Sequence, residues 1–189
     1  MSASLVLPGL ALALALGVGV IVIFNRLVQK RMLVDNGWAD IDVQLKRRSE
    51  LIPPLVETVK GYASHERTLF EEITQKRNAA LSAGDDPDAR ASAETALSRP
   101  VGRIFALAED YPDLKANENF LDLQKQLAET EDKIEMARRF YNGAVRELNI
   151  LVASVPSNFV AGAFGFSPRK YFEIADGDRA TPAVALGRS

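Results

Sequence analysis

The sequence predicts an all-α protein in which an N-terminal transmembrane helix leads into a long antiparallel up-and-down helical bundle. Three observations carry this. Residues 5–24 (LVLPGLALALALGVGVIVIF) hold no charge, no amide and no histidine. The rest of the chain places apolar residues three and four apart over long stretches, the period of one helix face. No run alternates apolar and polar residues as a half-buried strand would.

Twenty residues of helix span about 30 Å, the thickness of a bilayer's hydrocarbon core. A secretory signal would have a shorter apolar region behind a basic start. Here no Lys or Arg precedes Arg26, and the small residues Ala11, Ala13 and Ala15 lie inside the run rather than after it. The run therefore reads as a retained single-pass span, after a short tail at 1–4. Arg26, Lys30 and Arg31 follow it, then Lys46, Arg47 and Arg48. Basic flanks stay on the cytoplasmic side, which places the N-terminus outside and residues 25–173 in the cytoplasm. Gly9, Ala13 and Gly17 share a face that could let two copies approach, so a homo-oligomer is an expectation.

Trp38, Ile41, Leu45, Arg48, Ile52, Leu55, Val59 and Tyr62 form a heptad-like seam. Pro53 and Pro54 predict a kink or restart within it. The same face resumes through Leu69, Phe70, Ile73, Arg77 and Leu81. SAGDDPD (82–88) is a loop by composition. A second helical run covers roughly 89–109, broken near Pro100 or starting in earnest after it. DYPDLKAN (110–117) connects to the next helix, with Asn117 as its N-cap. Phe120, Leu123, Leu127, Thr130, Ile134, Ala137, Tyr141, Val145, Leu148 and Val152 then keep helical spacing until about Ser154. From Ser157 the chain is rich in aromatics and glycine, which predicts an irregular segment packed on the bundle. A disordered tail is expected over 174–189.

The motifs WADIDVQLKRRSELIPPLVETVKGYASHE (38–66), AEDYPDLKANENFLDLQKQLAETEDKIEMARRFYN (108–142) and VPSNFVAGAFGFSPRKYFE (155–173) resemble those of the LemA family of bacterial membrane-anchored proteins. The resemblance implies a single N-terminal span in the cytoplasmic (inner) membrane, a cytoplasmic antiparallel bundle and no established enzymatic activity. The chain departs from the family pattern at Pro54, where Asn is common, at Ser49 and Glu50, and at Pro100, where the family helix runs on.

Composition narrows the chemistry. With no Cys, one His and a net charge of −2, thiolate catalysis, multi-His metal sites and an electrostatic nucleic-acid footprint are excluded. His65 in HERTL lacks the second histidine of a zinc-protease motif. The Gly162 and Gly165 pair follows no strand and precedes no Lys, so it is no phosphate loop. No cofactor is implied. The candidate residues are polar and aromatic. Arg48 sits in the seam with Asp42 beside it, and Glu131, Glu135, Arg138 and Asn142 form a stripe on the long helix. A buried Arg must be paired, because stranding its charge costs several kcal/mol; Glu131 and Glu135 are the expected partners. The same carboxylates are the alternative reading, a metal-binding or enzymatic bundle, although di-iron bundles need inward Glu-x-x-His pairs that this chain lacks. Phe159, Phe164 and Phe166 are candidates either for packing on the bundle or for binding a partner or the membrane interface. The favoured function is a non-catalytic interaction or scaffold module tethered to the membrane, with an unknown protein partner. A membrane-remodelling or envelope-stress role is a further alternative.

Overall fold

The computed structural model describes residues 3–173, with side chains from Pro8 onward; the tail expected to be disordered lies outside the described residues. The described chain is all-helical. Its elements are α1 (Ala3–Lys60), α2 (Arg67–Leu81), α3 (Pro87–Ala108), α4 (Pro112–Lys115), α5 (Glu118–Ala153) and α6 (Ser157–Ala163). They divide between two units. One holds the chain up to Leu45 together with Glu131–Tyr171, and the other holds Lys46–Thr130 together with the chain from Phe172.

In the first unit, α1 and the second half of α5 run antiparallel. Trp38 faces Tyr141 with ring centroids 5.5 Å apart, and Lys30 meets Glu147 at 2.5 Å. Arg26, Gln29, Ile150 and Leu151 line a common hollow farther along. The core is built from Leu27, Val34, Ile41 and Leu45 of α1 and from Ile134, Tyr141, Val145 and Leu148 of α5. Each set is spaced by three, four or seven, so one stripe per helix is covered. The helices approach closely at Gly37, where a Cβ would lie 3.1 Å from the Tyr141 Cα.

In the second unit, Ile52, Leu55 and Val59 of α1 share a core with Leu69, Phe70 and Ile73 of α2, Leu97, Val101 and Ile104 of α3, Leu114 of α4, and Phe120 and Leu127 of α5. Capping sets several boundaries. Asp86 accepts from the Ala89 amide at 3.1 Å, and Pro87 follows at the first helical position, where its missing N–H does no harm. Asn117 caps α5 as its sequence position predicts, accepting from the Phe120 amide at 3.0 Å.

Four sequence expectations are corrected. Pro53 and Pro54 neither end nor restart α1, which is continuous to Lys60. Proline at 53 deprives the Ser49 carbonyl of its intrahelical donor, and the Arg77 Nε of α2 donates to that carbonyl instead at 2.7 Å. Pro100 does not break α3, which runs through it; Pro100 itself is buried beside Leu97, Val101 and Ile104, so tertiary burial outweighs the lost hydrogen bond. The seam does not continue through Tyr62 and Leu81. The chain turns after Lys60, leaving Tyr62 exposed with its hydroxyl accepting from Asn117, and Leu81 is exposed at the end of α2. Finally, the segment from Ser157 is not wholly irregular, since it opens with α6.

Candidate interaction surface and buried polar centre

The aromatic segment belongs to the first unit as far as Tyr171. α6 buries Ser157, Val160 and Ala161 and turns Phe159 outward. Gly165 then adopts φ +73°, the left-handed conformation that glycine supplies without strain. The Phe166 amide donates back to the Ala161 carbonyl at 2.9 Å, closing a Schellman-type C-cap. The turn delivers both flanking rings to α1. Phe24 meets Phe164 at 4.9 Å and Phe166 at 5.8 Å, edge to face, and the Arg31 guanidinium lies 5.1 Å over the Phe166 ring.

The extended stretch after this turn is held by side chains. Asn149 brackets Arg169: its Oδ1 accepts from the Arg169 amide at 2.8 Å and its Nδ2 donates to the Arg169 carbonyl at 2.9 Å. The Tyr141 hydroxyl donates to the Lys170 carbonyl at 2.9 Å, and the Arg169 side chain reaches Asp35 at 3.2 Å. Of the three candidate phenylalanines, Phe166 is buried, while Phe159 and Phe164 stay 71% and 56% exposed. Val155, just before α6, is 73% exposed.

Phe24 is the last residue of the uncharged run, so this aromatic cluster sits where apolar sequence gives way to the basic residues Arg26, Lys30 and Arg31. The Lys30 ammonium holds the Glu147 carboxyl below its ordinary value, by hydrogen bond and by charge. On the N-terminal side of Phe24, the apolar side chains of α1 are uncovered: Leu10, Leu12, Leu14, Leu16 and Ile21 all stand well exposed.

The second unit holds the polar centre. Arg48 is 3% exposed and Glu94 of α3 is 3% exposed. The Arg48 Nη1 lies 3.5 Å from the Glu94 carboxylate. Its Nη2 donates to Ser98 Oγ at 2.5 Å, and that hydroxyl donates in turn to the Glu94 carbonyl at 2.9 Å. Arg90, buried one turn before, approaches the same carboxylate at 3.7 Å. Arg48 is therefore buried, as its place in the seam predicts, and Glu94 and Ser98 of α3 are partners that sequence reasoning missed. The available signal was weak: Arg90, Glu94, Leu97 and Val101 share a helix face, which places Glu94 on the apolar side of α3.

Asp42, Glu131 and Glu135 are exposed, and Arg138 and Asn142 are half-buried. Glu135 pairs with Arg139 one turn on at 3.2 Å. Among the described residues, no group of three or more His, Asp or Glu side chains comes together in a way that could hold a metal ion.

The fold and these features define a helical protein led by an uncovered apolar helix and carrying a buried ionic cluster between α1 and α3. The pattern of the LemA family matches residues 37–186, most of the chain, and the chain belongs to that family. It is 24% identical over 160 residues to magnetosome protein MamQ 2 of Paramagnetospirillum magneticum, covering 71% of this chain and 59% of that one. It is 23% identical over 172 residues to magnetosome protein MamQ of Magnetospirillum gryphiswaldense, covering 77% and 62%. It is also 25% identical over 137 residues to protein LemA of Metamycoplasma hominis, covering 72% and 63%. The chain thus matches about three-fifths of the length of these relatives.

Proposed function

We propose that the chain is a single-pass membrane protein of the bacterial cytoplasmic membrane, its N-terminus outside and its helical part acting in the cytoplasm as a non-catalytic interaction module. The observation that carries this reading is the uncovered apolar stretch of α1, of which only 6% is buried by the rest of the protein. A helix that is apolar all round and not covered by protein needs an apolar solvent. Each Leu, Val or Ile leaving water contributes roughly 1.5–3 kcal/mol, so the eight exposed ones between Leu10 and Val22 contribute about 12–24 kcal/mol. The stretch is also one continuous helix with Leu27, Val34 and Ile41, which pack in the first unit. Removal as a leader would sever a helix the fold uses.

Arg26, Lys30 and Arg31 favour the cytoplasmic side for the residues C-terminal to them. The non-catalytic reading rests on the polar chemistry: the buried cluster of Arg48, Glu94 and Arg90 is linked within itself, and Glu131 and Glu135 of the long helix lie at the surface. Alkaline extraction of membranes, with protease treatment of intact spheroplasts, tests the proposal. The full-length chain should stay with the membrane and resist added protease. A chain recovered in the soluble fraction overturns the anchor, and digestion of the helical part from outside overturns the orientation.

A further inference from the structure

We infer that the outer face of α6, with Phe159 and the adjoining Val155 and Phe164, is a second membrane contact that seats in the headgroup region of the same leaflet that α1 enters; this rests on the anchoring reading above. The argument is one of level along the helices. α5 runs back along α1 in a fixed register, with Tyr141 facing Trp38, Glu147 facing Lys30, and Ile150 and Leu151 sharing a hollow with Arg26. Each step up α5 matches a step down α1, so the end of α5 at Ala153 lies level with Phe24. The chain then makes α6 and returns to the same level, since Phe164 and Phe166 both touch the Phe24 ring. α6 therefore begins and ends at the height where the apolar run stops. The large side chains exposed on it and at its two ends are apolar: Phe159 on α6 and the adjoining Val155 and Phe164 are 71%, 73% and 56% exposed.

Charge fits the same occupant. Arg26 and Arg31 project from α1 within two turns of Phe24, beside the Lys30–Glu147 pair, and anionic headgroups attract such basic residues. An apolar body at the acyl boundary beneath a basic collar is the arrangement of helices that lie in a membrane interface. Because the contact is made by a short helix strapped to α1 through the Phe24 cluster, it would fix the rotation of α1 about its own axis as well as its depth.

The chain has no cysteine, so single cysteines report position directly. Full-length Phe159→Cys, labelled with the fluorophore NBD, would be reconstituted in phosphatidylcholine–phosphatidylglycerol vesicles. Matching samples would carry the label at Met136→Cys, exposed on α5 and about 26 Å along α5 from its end at Ala153 at 1.5 Å per residue, and at Leu14→Cys in the apolar stretch. Emission from position 159 should fall severalfold with lipids nitroxide-labelled near the headgroup and little with aqueous iodide. Position 136 should show the reverse, and position 14 should respond to nitroxides deep in the acyl chains. If 159 behaves like 136, the face meets water and the inference fails while the anchor stands. Self-quenching at 159 that disappears on dilution with unlabelled chain would assign the face to a second copy and likewise overturn it. If position 14 escapes the deep nitroxide, the anchoring reading fails and takes this one with it.

Discussion

Arg48→Met separates a buried ionic cluster from an ordinary seam contact. Arg48 and Glu94 are each 3% exposed, and removing one partner of a buried pair costs about 3–5 kcal/mol because the other charge stays behind. Here the carboxylate keeps Arg90 at 3.7 Å, and the broken contact is a long one at 3.5 Å. The lower end of that range, about 3 kcal/mol, is therefore expected for Met, which also retains the apolar bulk of the arginine stem. Arg48→Ala loses that bulk and should cost about 1–2 kcal/mol more through the space it leaves. In a domain of this size a change of about 1 kcal/mol moves the midpoint by about 2–4 °C, so Arg48→Met should lower it by about 6–12 °C. The measurement is thermal unfolding of the full-length chain in detergent, monitored by helical circular dichroism. Arg48→Met combined with Glu94→Leu removes the pair but takes the carboxylate away from buried Arg90 as well, so it should recover only part of the loss. Midpoints unmoved in both single variants, or a double variant as unstable as the sum of the two, would refute the account of a paired, desolvated cluster.

Other outcomes rest on single contacts. Arg77→Met should destabilise by about 1–3 kcal/mol by orphaning the Ser49 carbonyl; in a Pro53→Ala background, where the helix amide returns, a double-mutant cycle by thermal melts should show that penalty shrinking. Gly37→Ala should destabilise by about 1 kcal/mol, because its Cβ would meet the Tyr141 backbone at 3.1 Å and overpacking of about 1–3 kcal/mol exceeds the helix-propensity gain. Gly143→Ala, with open space around its Cβ, should stabilise by up to about 1 kcal/mol in the same melts. Glu147 titrates below its ordinary value of 4.5 because of Lys30. A depressed carboxyl stabilises the fold above its unfolded value and loses that contribution as pH falls through its folded one. The Lys30–Glu147 contribution should therefore be complete at neutral pH and fade below about 4.5, and Lys30→Ala should move the Glu147 side-chain NMR titration up toward 4.5.

How much of the fold is legible in the sequence depends on how local the cause is. The apolar run, the stripes on α1 and α5 and the Asn117 cap are set within one or two helical turns, and all can be read directly. The prolines mislead because their cost is local while the compensation is not. The donor that repairs the Pro53 gap comes from Arg77 on the next helix, and Pro100 is accommodated by burial that only the fold supplies. Arg48 is recognisable as buried from its seam position. Glu94 is not recognisable as its partner, because a break at Pro100 leaves the first half of α3 without a face. The candidate surface is half legible: aromatic density marks the segment, but separating buried Phe166 from exposed Phe159 requires the turn at Gly165.

Helix α1 passes from its uncovered apolar stretch to its packed residues without a break, and that absence of a joint has a mechanical consequence. A flexible tether would let the folded part sweep a wide volume and meet partners in any attitude. A stiff stem allows neither, and couples any push or twist on Trp38 and Ile41 directly to Leu14 and Leu10. Inserting a short glycine-rich stretch after Phe24 would uncouple the two, at the expense of the Phe24 contacts with Phe164 and Phe166.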